Sequence, residues 1–599
     1  MQPRSQIAVH NKHRILGLLV GIFLLTAASR LIHIASITMN WDDIWSVWQT
    51  LGSPIDVLHW TPLDWPPLFF LSLWGWKELT GITPEALRVF SVLISLLGSA
   101  CFYRVTRRIW NEAVALIATL AFGALAYDIF LSVLVRGYIV ELALTPLTLW
   151  FTIRYFDHPT VRRAVLLSLC LLAQFFTHYT SIFAFLLIGM YTLLVYRKAV
   201  WRWWLPLLMS APLLVLQVLS NLQIFGTHLS FTRTMHIPPL PTAFYDLLNV
   251  FTGPPFIIWA ALLLIATILL VRHIEVRTLV LVAWVALLLP IYIFHNRLGL
   301  FQDSRYLWWV IPGIIWWLGW GVSRLPQPAA TIAAFGLIIA MFWPGNIGNF
   351  QQMLYSNVIP MDKYMQALRQ EMQPGDTLLV DKNNECGPNE SWDYFMRVYF
   401  PDGLQFVTSP QNYRRVWYVS TPKKKVDSET LSAVNREHMP TKSIGNADCQ
   451  IQLYESPPDP QGILFANGMR FHGAELSGLT VPNGKLYHEG EKIHLRLWWS
   501  IDTPVKLDYS VGVYAITPQG IGQVDGAPNV DGAPHETSRW VAGRYYIDER
   551  DVQLPYPLDD GIYPIYLSIY QWWDNQRISA PGLNKDSLLP LQNVIVHAW

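Results

Sequence analysis

Two adjacent carboxylates, Asp42 and Asp43, lie just after the first long apolar run of the sequence, residues 15–37. A third carboxylate, Asp64, stands two residues before a double proline, and apolar sequence then resumes. Carboxylates are costly to keep near lipid, so at the end of a membrane helix they usually lie in a polar cavity or in water. The acidic stretch is therefore either a solvated loop or part of a polar site, and composition alone leaves both interpretations open.

The composition of the chain is that of a membrane protein with soluble parts attached. Of its 599 residues 52% are hydrophobic and 14% are charged, whereas a soluble domain carries about 25% charged residues. The net charge of +1 argues against nucleic acid as the main partner. The basic N-terminus is followed by an apolar run that is too long for the core of a signal peptide, so we expect a retained first helix.

The apolar segments predict an all-α membrane region, residues 1–345, with about eleven transmembrane helices. The segments run over residues 15–37, 88–103, 112–131, 138–153, 164–177, 179–196, 204–222, 255–271, 278–294, 305–323 and 329–344. Segment 66–80 begins with two prolines and contains Lys77 and Glu78. We expect it to form an interfacial or re-entrant juxtamembrane helix.

Clusters of basic residues separate the apolar segments. They are Arg4, Lys12 and Arg14; Arg104, Arg107 and Arg108; Arg154, Arg162 and Arg163; Arg197, Lys198 and Arg202; Arg272 and Arg277; and Arg324. If segment 66–80 does not cross, every cluster falls on one side, which the positive-inside rule assigns to the cytoplasm. We therefore predict a cytoplasmic N-terminus and an extracytoplasmic location for everything after Asn346.

This topology gathers polar side chains at the outer face of the membrane. They are Asp42, Asp43, Asp64, Tyr138, His178, His228, His236, Arg305 and Tyr306. A random scatter of these residue types would not collect them on one side. The one-sided placement favours a polar site over a solvated loop.

Two soluble domains are predicted after the membrane region. A short helix at 361–372 and strands at 377–380, 416–420 and 450–454 indicate a small α/β domain over residues 346–456. From Pro457 onward, alternating apolar and polar residues with recurrent turn signals predict an antiparallel β-sandwich over residues 457–599. Cys386 and Cys449 both lie in this soluble part, and an extracytoplasmic location would permit a disulfide between them.

Several short motifs occur in an order typical of one protein family. They are Trp41-Asp42-Asp43-Ile44-Trp45, Asp64-Trp65-Pro66-Pro67-Leu68-Phe69, Leu87-Arg88-Val89-Phe90-Ser91, Ser132 with Arg136-Gly137-Tyr138, Thr177-His178-Tyr179, Ile237-Pro238-Pro239 with Pro241-Thr242, and Arg305-Tyr306 with Pro312. With these motifs the chain resembles the clan C polytopic glycosyltransferases, in particular the protein O-mannosyltransferase and aminoarabinose-transferase-like branch. One departure is Trp65, because relatives often carry His or Lys there. Where the residue is lysine it contacts the carrier phosphate, which tryptophan cannot do by charge.

The resemblance implies a multi-pass enzyme of the plasma membrane, surrounded by membrane lipid. It would take a sugar from a polyprenyl-phosphate donor and pass it, with inversion, to a hydroxyl of a glycan, lipid or protein acceptor outside the cytoplasm. Two other interpretations stay open: a polyprenyl-linked glycan ligase or polymerase, and a transporter-like scaffold that binds lipid or sugar without catalysis. The β-sandwich is similar to a domain often appended to such transferases, and carbohydrate binding by it is an analogy of fold alone.

The resemblance makes Asp42 the candidate catalytic base, which would take the acceptor proton. The alternative for Asp42 is a helix cap or a solvated carboxylate. Arg136 and Arg305 are candidate phosphate ligands, because a guanidinium matches phosphate oxygens bidentately. Arginines at helix ends also extend to the membrane interface, which is the alternative for both.

The remaining candidates complete a substrate site and an optional metal site. Tyr138, Tyr306, Asp43 and Asp64 would contact substrate, and Asp43, Asp64 and His236 could ligate a divalent metal ion, since hard cations prefer carboxylate oxygen. His178 interrupts apolar sequence, where a lone histidine is more often a satisfied core residue than a ligand.

Overall fold

The computed structural model describes most of the chain as two compact units. The described residues are 3–35, 37–60, 65–220, 239–272, 280, 282, 284–286, 304–346, 359–387, 389–424, 426–482 and 484–598. One unit comprises Met1–Gln366 with Gly387–Pro401, and the other comprises Ala367–Cys386 with Asp402–Trp599. The domain boundaries expected at residues 345 and 456 stay predictions.

The first unit is helical. Its described helices are α1 (Pro3–Leu31), α2 (Trp41–Trp48), α3 (Pro54–Trp60), α4 (Leu68–Thr80), α5 (Pro84–Ile109), α6 (Glu112–Ala124), α7 (Ala126–Val133), α8 (Tyr138–Asp157), α9 (Val161–Phe175), α10 (Ser181–Val195), α11 (Trp204–Ser220), α12 (Leu240–Thr252), α13 (Phe256–Arg272), α14 (Ile311–Val322), α15 (Gln327–Met341), α16 (Met361–Glu371), which begins in this unit, and α17 (Asn389–Tyr399). Two 3₁₀ helices, Arg197–Trp203 and Ser304–Val310, precede α11 and α14.

Four helical stretches among the described residues are long and apolar enough to cross a membrane. They are His13–Leu31, Pro84–Ile109, Tyr138–Asp157 and Arg197–Leu219. Helices α6 and α7 make a fifth if they are taken as one span, bent by 57°. Three shorter apolar helices, α10, α13 and α15, accompany them. These helices mark an integral membrane protein.

The prediction of about eleven spans is therefore too high for the described residues. The predicted segment 112–131 is interrupted at Leu125, whose backbone is extended (φ −67°, ψ 120°). Helices α10, α13 and α15 have 15 to 17 residues, fewer than the roughly 20 that a straight span needs. The predicted segment 278–294 lies largely outside the described residues.

Short helices connect the first span to α5. The N-cap of α2 is Asn40, whose side-chain oxygen accepts a hydrogen bond from the Asp43 amide at 3.0 Å. Such a cap satisfies one of the amide groups that the first turn of a helix leaves unpaired. The segment expected to be juxtamembrane forms α4, and Gly81, at a φ of 83°, ends it.

A fully buried ion pair fixes α1 against α7. Arg30 contacts the carboxylate of Asp128, and neither side chain is exposed to solvent. The other donor groups of Arg30 bind the Thr26 carbonyl at 2.9 Å, Ser29 Oγ at 2.9 Å, the Gly123 carbonyl at 3.0 Å and Ser95 Oγ at 3.0 Å.

Two hydrogen bonds join the later part of the first unit to the residues before α2 and after α4. The amide of Met39 donates to the carboxylate of Asp362 on α16 at 3.1 Å. On α17, the hydroxyl of Tyr394 donates to the carbonyl of Ile82 at 3.0 Å. Segments that follow the last apolar helix thereby brace the residues on either side of α2–α4.

The second unit begins with a mixed five-stranded sheet. Its strands are β1 (Thr377–Val380), β2 (Phe406–Val407), β3 (Arg415–Ser420), β4 (Met439–Asn446) and β5 (Cys449–Glu455), in the order β2-β1-β3-β5-β4. Strand β1 pairs in parallel with β2 and β3, and the other pairs are antiparallel. Helix α18 (Ser428–Glu437) connects β3 to β4. The predicted strands are confirmed, and Cys386 and Cys449 form a disulfide.

Two further sheets share one hydrophobic core. Their strands are β6 (Ile463–Leu464), β7 (Met469–Leu476), β8 (Leu479–Val481), β9 (Gly484–His488), β10 (Lys492–Ile501), β11 (Tyr509–Thr517), β12 (Gly520–Gly526), β15 (Tyr546–Gln553), β16 (Gly561–Gln571) and β17 (Leu589–His597), with a small hairpin of β13 (Asn529–Val530) and β14 (Ala533–Pro534). The sheet orders are β15-β10-β7-β6 and β12-β11-β16-β17-β9-β8. Core residues come from both sheets, as Trp499 and Val513 illustrate. The predicted antiparallel sandwich is correct except for the parallel pair β9–β17.

Candidate active site

Helix α2 sends its two acidic side chains into different surroundings. Successive residues of an α-helix project about 100° apart, because one turn takes 3.6 residues. Asp43 is fully buried, whereas 21% of the Asp42 side chain is exposed. The two carboxylates therefore differ in accessibility, although they are neighbours in the sequence.

Asp42 lies between two guanidinium groups. Arg136 Nη2 donates to Asp42 Oδ1 at 2.7 Å, and Arg305 Nη1 donates to Asp42 Oδ2. Arg136 also contacts Ser46 Oγ, one turn further along α2, at 3.2 Å. Arg136 stands just before α8 and Arg305 in the 3₁₀ helix that precedes α14. The structure thus brings together three of the predicted site residues from distant parts of the sequence.

Two guanidinium groups share the Asp42 carboxylate. Burial acts to raise the pKa of Asp42, but the two arginines outweigh burial and lower it to about 2. Asp42 is therefore ionised at neutral pH, and it is a weak base for as long as both guanidiniums hold it.

Asp43 fixes the backbone beside Arg136. Its Oδ1 accepts a hydrogen bond from the Val135 amide at 2.8 Å, and its Oδ2 accepts one from Asn40 Nδ2 at 2.7 Å. Burial raises the pKa of Asp43 to about 6, although Arg88 and the Val135 amide act in the opposite direction. Asp43 therefore positions the segment that carries Arg136, which sequence patterns alone did not indicate.

Aromatic rings surround the two arginines. The Arg136 guanidinium lies 5.3 Å from the ring centre of Trp65, and the Arg305 guanidinium lies 5.7 Å from that of Tyr138. Such placement favours a cation over a ring face. The ring of Tyr306 is 6.1 Å from that of Tyr138, so both predicted tyrosines belong to the same cluster.

Trp65 and His178 complete the cluster. Their ring centres are 5.1 Å apart, and His178 is also 5.2 Å from Tyr138 and 5.7 Å from Tyr306. Trp65 occupies the position that departs from the expected motif, and it packs against a guanidinium instead of supplying a charge. The sequence favoured a core position for His178 over a role as a ligand. The motif Thr177-His178-Tyr179 was the signal that could have placed it here.

The predicted metal ligands are only partly open to test. Asp64 and His236 lie outside the described residues, as does His228. Asp43 already has both oxygens in hydrogen bonds to the protein. Among the residues that the structure describes, no three His, Cys, Asp or Glu side chains form a group that could hold a metal ion. A metal site that includes Asp64 and His236 therefore stays a prediction.

Comparison with known proteins gives likenesses of fold. No protein-family model matches the chain, and no curated protein matches it. The chain is similar to the structure of ArnT from Cupriavidus metallidurans bound to undecaprenyl phosphate, with a TM-score of 0.49 and 13% identity over 73% of this chain and 98% of that one. It is also similar to the oligosaccharyltransferase AglB from Archaeoglobus fulgidus in complex with an inhibitory peptide and a dolichol-phosphate, with a TM-score of 0.42 and 10% identity over 98% of this chain and 99% of that one.

A third likeness is to the arabinosyltransferase EmbB from Mycobacterium smegmatis, with a TM-score of 0.34 and 11% identity over 96% of this chain and 64% of that one. Two of the three are glycosyl-transferring proteins by name, an oligosaccharyltransferase and an arabinosyltransferase. Because the identities are 10–13% and the TM-scores 0.34–0.49, the function proposed below rests on the geometry of the site.

Proposed function

We propose that this protein is a membrane glycosyltransferase that moves a sugar from a polyprenyl-phosphate donor to an acceptor hydroxyl on the extracytoplasmic side. The observation that carries the proposal is the cluster of Asp42, Arg136 and Arg305. It combines a proton acceptor with two guanidinium groups, beside the membrane-spanning helices. A phosphate is the kind of anion that paired guanidiniums bind best.

The proposed reaction is an inverting displacement at the anomeric carbon of the donor sugar. The acceptor oxygen forms a bond to that carbon, and the bond between the carbon and the phosphate oxygen breaks. The acceptor proton passes to Asp42, and the phosphate leaves on its polyprenyl chain. Arg136 and Arg305 stabilise the negative charge that grows on the phosphate, which is the usual role of preorganised cations in such transfers.

The ion pairs of Asp42 imply that donor binding precedes proton transfer in the proposed reaction. Asp42 is a poor base while it is held by two guanidiniums, since they lower its pKa to about 2. A donor phosphate competes with Asp42 for these guanidiniums, each of which has five N–H donors. When the phosphate draws them away, Asp42 becomes more basic at the moment when an acceptor must lose its proton.

The other predicted residues take supporting roles in this proposal. Tyr138, Tyr306 and Trp65 form an aromatic wall near the arginines, and such rings can stack on a sugar. Asp64 would contact the acceptor or, with His236, a divalent ion, which loss of activity in EDTA and its recovery with added metal would test. The cytoplasmic N-terminus and the extracytoplasmic C-terminal domains also belong to the proposal. Labelling of single introduced cysteines from each side of the membrane tests that orientation.

The direct test uses purified full-length protein in lipid nanodiscs with a panel of synthetic polyprenyl-phosphoryl sugars. Release of polyprenyl phosphate that depends on an added acceptor fraction supports the proposal. The matched control is Asp56→Asn, because Asp56 is an exposed acid on the neighbouring helix α3 that caps its own turn through Ser53. Equal turnover by wild type and Asp42→Asn would rule out Asp42 as the base.

The same preparation distinguishes the proposed donor from that of a ligase or polymerase. Mass spectrometry of the lipid that copurifies with the protein separates a monosaccharide on a single phosphate from an oligosaccharide on a diphosphate. A copurified monosaccharide phosphate is the expected result.

A further inference from the structure

His178 lies in the turn between α9 and α10, in contact with the arginine cluster. It is buried, with 6% of its surface exposed. Its ring packs among Trp65, Tyr138 and Tyr306, with centres 5.1 to 5.7 Å away. The charges of Arg136 and Arg305 are close enough to act on the imidazole.

A chain of hydrogen bonds fixes which nitrogen of His178 carries the proton. Trp308 Nε1 donates to Thr180 Oγ1 at 3.0 Å. Thr180 Oγ1 lies 2.8 Å from His178 Nδ1, and the Thr180 amide donates to the same nitrogen at 3.2 Å. A backbone N–H can only donate, so Nδ1 must be an acceptor, and the Thr180 hydroxyl, which accepts from the indole N–H, donates to the same nitrogen. Nδ1 is then the acceptor, and the proton of neutral His178 is on Nε2.

The Nε2–H group is a buried donor that has no partner among the described residues of the protein. Buried donors in native proteins nearly always have partners, and the exceptions call for an explanation. Burial and the two arginines also lower the pKa of His178 to about 3. The imidazole therefore stays neutral at physiological pH and serves as a donor, not as a base or a third cation.

We propose that His178 Nε2–H donates a hydrogen bond to a phosphate oxygen of the polyprenyl-phosphate donor, beside Arg136 and Arg305. This inference rests on the proposed function, because it names a further contact to the same substrate. A neutral donor suits this position, since it binds an oxyanion without adding a third positive charge beside Arg136 and Arg305. His178 is then a phosphate-binding residue, and Thr180 and Trp308 are the positioning residues that hold its tautomer.

The test compares two substitutions of His178 in full-length protein. The side-chain amide of His178→Gln can place an N–H near the position of Nε2, whereas His178→Leu keeps apolar bulk and removes the donor. The measurement is equilibrium binding of undecaprenyl phosphate in nanodiscs, with undecaprenol, which lacks the phosphate, as the second ligand. We expect His178→Leu to weaken binding of the phosphate about 10-fold, which corresponds to a change of about 1.4 kcal/mol. His178→Gln should lose less, and binding of undecaprenol should not change.

Equal affinity of wild type and His178→Leu for undecaprenyl phosphate overturns the inference, and so does an equal loss for undecaprenol. Inorganic phosphate is added as a competitor. Displacement of the lipid only by other polyprenyl phosphates identifies the lipid headgroup as the ligand, and displacement by inorganic phosphate at comparable concentration overturns that assignment. If wild type binds the phosphate through His178 but transfers no sugar, the proposed function fails while the contact stands.

A second variant keeps the inference testable if His178→Leu does not fold. Trp308→Phe preserves the buried ring but removes the N–H that orients the Thr180 hydroxyl. We expect a loss of about 3-fold in affinity for undecaprenyl phosphate, because the Nε2 tautomer is then less strongly fixed. An unchanged affinity would contradict the assigned hydrogen-bond chain.

Discussion

The first unit contains two clusters of aspartate and arginine that differ in exposure and in the number of partners. Arg30 and Asp128 form a fully buried pair, and each side-chain nitrogen of Arg30 donates to a group of the protein. Asp42 faces two arginines instead of one, and it retains 21% exposure. The buried pair joins α1 to α7, whereas the Asp42 carboxylate is shared between two guanidiniums and has an exposed edge. Exposure and the number of partners, more than the residue types, therefore distinguish the two clusters.

The largest expected effect is on transfer by Asp42→Asn. The amide keeps the size of the side chain but cannot accept the acceptor proton, so we expect turnover to fall by roughly 10²–10⁴-fold. Donor release with a saturating acceptor measures this change. The ion pairs of Asp42 with Arg136 and Arg305 also stabilise the fold, so the unfolding temperature should fall, and turnover is compared at a temperature at which both proteins remain folded. Turnover equal to that of wild type would contradict the role of Asp42 as the base.

The next largest effect is expected on the stability of the protein, when the buried pair of Arg30 and Asp128 is broken. Arg30→Leu leaves the Asp128 carboxylate buried without its partner, which costs about 3–5 kcal/mol in the free energy of unfolding. Thermal unfolding in detergent measures it. The double variant Arg30→Leu/Asp128→Leu should recover most of the loss, because it removes both charges. A single variant as stable as wild type would show that the buried pair does not join the helices as described.

A smaller effect is expected when Arg305 is replaced by lysine. Arg305→Lys keeps the charge but loses the planar fork that matches two phosphate oxygens, so the donor KM should rise about 10-fold while the unfolding temperature stays the same. Arg305→Gln, which loses the charge as well, should be worse. The control is Arg107→Gln, an arginine whose side chain is 51% exposed. If lysine served as well as arginine, the cluster would be recognising charge alone.

The smallest expected effect is on the pH dependence of stability, which distinguishes Asp43 from Asp42. Asp43 has an ordinary pKa of 3.8 when unfolded and a pKa of about 6 when folded. Its protonated form is favoured in the folded state, so stability is full below about pH 4 and decreases as the pH rises towards 6. Asp43→Asn should remove this decrease, which we expect to amount to about 2–4 °C in unfolding temperature.

Asp42 provides the contrast within the same experiment. Its pKa of about 2 lies below the ordinary value of 3.8, so its ion pairs stabilise the protein above about pH 4 and are lost only as the pH falls towards 2. Between pH 4 and 6, Asp42→Asn should therefore keep the pH dependence of the wild type. The opposite assignment, with the dependence lost in Asp42→Asn, would contradict the surroundings described for the two carboxylates.

The sequence predicted the members of the site better than their roles. The family motifs pointed to Asp42, Arg136 and Arg305, and the structure places both arginines in contact with Asp42. The different tasks of Asp42 and Asp43 depend on the direction of each side chain from α2 and on the Val135 amide, which is 92 residues away in sequence. No local pattern contains that information.

The fold, too, could be predicted from the sequence only in part. Strands with strong alternation, such as β10, followed from the sequence pattern. The sequence permitted but did not require a disulfide between Cys386 and Cys449, which the structure forms. The break at Leu125 did not, because Gly123 and Asp128 lie near it but neither residue says by itself where the helix bends. Tertiary packing, which a hydropathy profile does not contain, decides where such a segment bends.

The hydrogen bond between the Met39 amide and the Asp362 carboxylate joins residues 323 positions apart in the chain, so it can form only late in biosynthesis. Asp362 is synthesised only after all the described apolar helices. The N-terminal end of α2 therefore lacks this hydrogen bond while those helices are being synthesised, and a nascent chain that ends before α16 carries Asp42, Arg136 and Arg305 without that support. Maturation of this cluster is in this sense a late event.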